Sequence, residues 1–173
     1  MSEPRFDPIR ALEVLHRHEV RFIVVGAFSA VVQGGPLPTF DLAVTPARDA
    51  DNLARLAEAL RELDARLRVP SGDPIPFPVD TKMLEQATAW TLMTTAGPLD
   101  LVVEPAGTGG FDDLRRDAIE ETVGGVPVLL ASLRDVIRMK EAANRPKDVA
   151  QLPALRDTLE VIREREREGR ERS

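Results

Sequence analysis

No cysteine occurs in the 173 residues, so disulfides and thiolate-bound metals are excluded. Long apolar runs are missing as well: no stretch of 18 or more apolar residues appears, and no membrane span is expected. The N-terminus, MSEPRFDPIR, lacks the apolar centre of a secretion signal, which gives a cytoplasmic expectation. There is no basic excess. With 29 Asp and Glu against 23 Lys and Arg, the formal charge is −6, and no basic face suited to long nucleic acid is visible. A nucleic-acid substrate would therefore be touched over a short length, such as one end. Histidine is scarce, and His16 and His18, together on the first predicted helix, read as solvated rather than as ligands. Trp90, the single tryptophan, reads as core rather than as a base-stacking residue.

What is present fits one folded domain over 1–162, with 163–173 as a charged, fraying helix end of alternating Arg and Glu. The 43% hydrophobic content suffices for a core. Asp7 to His18 reads as an amphipathic helix, capped by Asp7 with Pro8 at its first position and Ile9, Leu12 and Leu15 on its buried stripe. Asp49 to Arg66, with Leu53, Leu56, Leu60 and Leu63 on one face, is the clearest helix. Val69 to Val79 contains four prolines and reads as loop. Asp80 to Ala87 reads as a short helix, followed by a hairpin of Thr88 to Thr95 and Leu99 to Glu104 around Ala96-Gly97-Pro98. Gly107 to Gly110 reads as a surface turn and Phe111 to Asp117 as a short helix. Ile119 to Val123 and Val126 to Leu130 form a second hairpin around Gly124-Gly125. Ser132 caps a helix from Leu133 to Asn144, and a last helix runs from about Val149 to Arg167 with Leu152, Leu155, Leu159 and Ile162 on its stripe.

The most informative stretch is Phe22 to Val44, FIVVGAFSAVVQGGPLPTFDLAV. Phe22 to Val25 is an apolar strand, Gly26 permits a sharp turn or close approach, and Ala27 to Gln33 is a helix stopped by Gly34, Gly35, Pro36 and Pro38. In the next strand, a period of two sends Phe40, Leu42 and Val44 to one face and Asp41, Ala43 and Thr45 to the other. Asp41 is then a carboxylate in mid-strand. Asp100 is a second one, in the run Leu99 to Glu104. On the helix 133–144, Lys140 shares the face of Val136 and Ile137, and an inward ammonium requires an anion.

This pattern resembles the nucleotidyltransferase, or polymerase-beta-like, superfamily, whose signature is an apolar strand, Gly followed by Gly or Ser, about ten residues, and D-x-[D or E]. Gly26 stands at the glycine; Ala27 replaces the usual Gly or Ser, and Ser29, later in the same turn, would substitute only if the helix starts at Ala27. Asp41-Leu42-Ala43 lacks the second carboxylate. Two origins fit the sequence equally well, a naturally degenerate member and an introduced Asp to Ala change. Lys140, Arg145 and the Lys147-Asp148 pair are similar to a basic pattern near the end of abortive-infection-type nucleotidyltransferase toxins.

The resemblance implies an α/β fold, a mixed sheet flanked by helices with a C-terminal helical segment. It implies transfer of a nucleoside monophosphate from a nucleoside triphosphate to a hydroxyl acceptor, an RNA end, a protein or a small molecule. Asp41 and Asp100 would be the catalytic metal ligands for Mg2+, with Ala43 at the missing position. Gly26, Ala27, Ser29, Lys140, Arg145 and Lys147 would face the nucleotide phosphates. Loss of one carboxylate should weaken magnesium and misplace the reacting phosphate. The rival expectations are a nucleotide-binding module without turnover and the interaction domain of a toxin and antitoxin pair, with an antitoxin as partner.

Overall fold

A computed structural model describes residues 4–173. Across them, eight strands form one mixed sheet in the order β4-β3-β5-β6-β2-β1-β8-β7. In chain order the strands are β1 (Phe22–Val25), β2 (Leu42–Pro46), β3 (Arg66–Leu67), β4 (Ile75–Pro76), β5 (Ala89–Thr94), β6 (Gly97–Val102), β7 (Ile119–Val123) and β8 (Val126–Leu130). The helices are α1 (Pro8–Arg17), α2 (Gly26–Val32), α3 (Ala50–Glu62), α4 (Thr81–Glu85), α5 (Phe111–Arg115), α6 (Leu133–Ala143) and α7 (Pro146–Arg172). No helix of the described residues is long and apolar enough to cross a membrane.

Alternation along the central strands divides the core. Val24, Leu42, Val44, Leu99 and Leu101 point to the side covered by α1, α3 and α4. Ile23, Val25 and Ala43 point to the side covered by α5, α6 and α7, where Val136, Ile137, Leu152 and Leu155 meet them. These central strands are buried on both sides, which explains their near-continuous apolar text.

Capping follows the sequence closely. Asp7 accepts from the Arg10 N–H, Asp49 from Asn52, Asp80 from Met83 and Ser132 from Asp135, so four helices start with a side chain satisfying a free N–H.

Several boundaries differ from expectation. The second strand of the Phe22–Val44 stretch begins at Leu42, so Asp41 lies at the bend just before it rather than in its middle. Alternation therefore does not reach back to Phe40, which is 75% exposed instead of facing the core. Ile9 is also exposed, because α1 buries Ala11, Leu12, Val14 and Leu15 and leaves its first turn over the β7–β8 turn. Helix α3 stops at Glu62: Asp64 takes a positive φ of 48° and the chain enters β3. The proline-rich segment contains one short ladder, Ile75-Pro76 against Arg66-Leu67. Helix α7 starts at Pro146 and continues to Arg172, longer than expected at both ends. His16 is exposed as expected, whereas His18 is half-buried with Nε2 at 3.0 Å from Glu62 Oε1. Trp90 packs on Phe77 with ring centroids 5.0 Å apart, consistent with a core role.

Candidate nucleotide-binding site

The topology brings the sequence-distant residues to one place. β2 and β6 are parallel neighbours in which Ala43 is paired with Asp100, and paired residues of adjacent strands project from the same face of a sheet. Asp41, two residues before Ala43, projects to that face too. All three line a cavity of about 720 Å3 beneath α6 and α7.

Gly26 and Ala27 form its edge on the β1 side. Gly26 has φ +73°, a conformation that disfavours any side chain, and a Cβ there would lie 3.5 Å from the Ala43 Cβ. The sharp strand-to-helix turn therefore keeps the space over Ala43 open.

Lys140, Arg145 and Lys147 line the opposite wall with Asp148. Asp148 is the organising group there, with its side chain 1% exposed. Its Oδ2 accepts from Arg145 Nε at 2.7 Å and from the Arg145 backbone N–H at 3.1 Å, while Oδ1 lies 3.5 Å from Lys140 Nζ. The anion that Lys140 requires is thus supplied by the same chain. Arg145 is bound to that carboxylate through two nitrogens, Nη2 reaching Oδ1 at 3.2 Å, which leaves Lys147 as the cation of this wall without such a partner among the described residues.

Ser29 is not part of the site. Because α2 starts at Gly26, Ser29 lies a full turn into the helix and is entirely buried, its hydroxyl donating to the Ala131 carbonyl at 2.8 Å. Gln33 makes the same link, donating to Ala131 O at 2.9 Å and accepting from Leu133 N–H at 3.1 Å. Together they tie α2 to the start of α6, so both walls of the cavity are built on one anchor.

The sequence reading also missed Arg68. It follows β3, and its Nη2 lies 3.3 Å from Asp100 Oδ1. This contact depends on β3 pairing with β5 beside β6, a register that local sequence does not signal. Asp148 carried a better signal, an acidic residue three positions after Arg145 at the start of a helix.

No protein-family model matches the chain, and no curated protein matches it. Solved structures do. Lincomycin-bound LnuA, a lincosamide antibiotic adenylyltransferase, matches with a TM-score of 0.59 at 12% identity, over 87% of this chain and 95% of that one. ANT(2'')-Ia in complex with adenylyl-2''-tobramycin matches with a TM-score of 0.55 at 12% identity, over 88% and 87%. The solution structure of that antibiotic-resistance factor matches with 0.55 at 14% identity, over 93% and 89%. The chain has the nucleotidyltransferase fold. At such identities the likeness speaks for the fold alone.

Within this nucleotidyltransferase fold the carboxylates are electrostatically coupled. Burial, then a hydrogen bond and repulsion from Asp41, push the Asp100 carboxyl up to about 6, against the opposing pull of Arg68 and Lys147. On the other wall burial lowers the pKa of Lys140, partly offset by Asp148. Burial raises that of Asp148, but the Arg145 hydrogen bonds and the Arg145 and Lys140 charges outweigh it and leave the carboxyl below its ordinary value.

Among the described residues no group of three or more His, Cys, Asp or Glu side chains is placed to hold a metal ion. The donor set present, Asp41 and Asp100, nevertheless fits one magnesium ion arriving with a triphosphate, since magnesium commonly takes one or two carboxylates plus phosphate oxygens and water. A site needing a third protein carboxylate is not fitted, because the Ala43 methyl occupies that place.

The raised Asp100 pKa has a stability consequence. A folded-state pKa above the unfolded value means that charged Asp100 costs stability, a cost that grows from about pH 4 to 6 and is full above 6. Asp100→Asn is therefore expected to raise Tm at pH 8 by about 3–6 °C, from roughly 1–2 kcal/mol after solvent screening. The gain should vanish as the pH is lowered to about 4 in thermal melts.

Proposed function

We propose that the cavity binds a nucleoside triphosphate and transfers its nucleoside monophosphate to a hydroxyl acceptor, at a rate held low by Ala43. The observation that carries this reading is the convergence of Asp41, Asp100, Gly26 and Lys147 on one cavity in a nucleotidyltransferase fold. The antibiotic adenylyltransferases with this fold support the reaction class; for the acceptor, an RNA end, a protein and a small molecule all fit.

In this mechanism Asp41 and Asp100 would hold magnesium, which would supply neutralisation of charge on the reacting phosphates. The Gly26–Ala27 turn admits the polyphosphate close to the backbone. Lys147 neutralises it, with Lys140 behind, held in place by Asp148. The acceptor oxygen bonds to the α-phosphorus, the bond to pyrophosphate breaks, and the hydroxyl proton passes to Asp100. Asp100, a carboxylate that faces the cavity, is the base for that step. Arg145 contributes by orienting Asp148 rather than by meeting phosphate.

The test uses α-phosphate-labelled nucleoside triphosphates with magnesium and separate pools of RNA, protein and small hydroxyl compounds. Weak label transfer to one pool, lost in Asp41→Asn, is expected; equal label in the variant would contradict the assignment. A second reading, nucleotide binding without turnover, is favoured by Ala43 and by the Arg68 contact on Asp100. It predicts binding in calorimetry with no labelled product even after a third carboxylate is supplied.

A further inference from the structure

Phe40 is the most exposed of the large hydrophobic residues among those described, at 75%. A lone exposed apolar side chain is ordinary on a protein surface, but this one lines the cavity, immediately before Asp41, and is the sole aromatic residue there. It is also held stiffly. Pro36 and Pro38 fix two backbone angles in the segment before it, and Leu37, half-buried against the α6–α7 side of the core, donates its N–H to the Gly35 carbonyl at 3.0 Å. On the other side the Thr39 hydroxyl donates to the Asp41 carbonyl at 3.3 Å. The backbone that carries the ring is therefore restrained on both sides, which lowers the ordering cost of a contact made there.

Lys140 and Lys147 line the cavity from α6 and α7 and favour anionic groups there, while Phe40 and Pro38 add apolar lining next in sequence to Asp41. A nucleoside triphosphate offers a partner for both, an anionic chain and a flat ring. We infer that Phe40 is the stacking face for the nucleobase of the bound nucleotide, a contact that is tolerant of base identity because every base presents a π-face. This rests on the triphosphate-binding reading of the site, and it makes the pocket a binder of nucleotides with little base preference rather than of inorganic polyphosphate.

Calorimetric titration of the protein with ATP, GTP, CTP, UTP and inorganic tripolyphosphate, each with magnesium, tests the inference. Phe40→Ala should weaken all four nucleotides by about 5- to 30-fold, leave tripolyphosphate within about twofold, and Phe40→Trp should restore nucleotide affinity. A wild type that binds the nucleotides while Phe40→Ala binds them equally well, or loses tripolyphosphate to the same extent, overturns the stacking role and leaves the triphosphate site standing. No binding of any nucleotide by the wild type removes the site itself. A second readout is independent of affinity: in the Trp90→Phe, Phe40→Trp protein, indole fluorescence should change on adding nucleotide and not on adding tripolyphosphate. Unchanged fluorescence with nucleotide bound contradicts direct stacking.

Discussion

Ala43→Asp is expected to raise nucleotide transfer by roughly 10²- to 10³-fold, the scale on which a single electrostatic stabiliser of a transition state acts. The geometry favours the new group. Position 43 is paired with Asp100 across parallel strands about 5 Å apart, and the absence of a side chain at Gly26 leaves the space over it open. Three carboxylates would then face one cavity. Without cation they repel, so the variant should melt a few degrees below the wild type in metal-free buffer and recover when magnesium and nucleotide are added. Initial-rate assays with labelled triphosphate measure the first effect and thermal melts the second. An inactive variant that shows the metal-dependent recovery would favour the non-catalytic reading.

The largest stability effect is expected at Asp148. Asp148→Ala leaves Lys140 buried without its anion, opens the capping contact of Arg145 and should cost about 3–5 kcal/mol, a fall in Tm of about 6–15 °C. Removing the cation as well should recover part of this. In a double-mutant cycle with Lys140→Met, the coupling between the two positions is expected at about 1–3 kcal/mol. Additive effects would mean that the 3.5 Å approach of Lys140 to Asp148 has no energetic weight. Nucleotide affinity should fall in Asp148→Ala even at temperatures where it is fully folded, because Lys140 would lose its fixed position in the wall.

Much of this was legible in the sequence where the pattern is local. Phe22 to Val25, the Gly26 turn and the Gly124-Gly125 hairpin follow from apolar runs and positive-φ glycines, and the structure reproduces them. The convergence of Asp41 and Asp100 on one cavity was legible only through the resemblance, since nothing local states that β2 and β6 are neighbours. Periodicity fails where an element begins later than its pattern: alternation extended back past Leu42 puts Phe40 in the core, whereas its side chain is exposed and lines the cavity. The nearness of Ser29 to Gly26 in sequence suggests a phosphate role, but the turn of helix between them rotates it into the core. Arg68 gives no sign because its position depends on the two-residue pairing of β3 with β5, which nothing local marks. The face of Lys140 on α6 signals an inward ammonium that requires an anion, but that Asp148, eight residues on, lies 3.5 Å from it depends on the α6–α7 turn at Asn144, whose φ is +51°.

The most direct test of the account is equilibrium binding of a nucleoside triphosphate with and without magnesium, in the wild type and in the Asp41→Asn, Asp100→Asn double variant. The account predicts binding that is strengthened by magnesium in the wild type, and residual, magnesium-independent binding through the Lys147 wall in the variant. Equal strengthening by magnesium in both proteins would contradict the claim that these two carboxylates form the cation side of a triphosphate pocket.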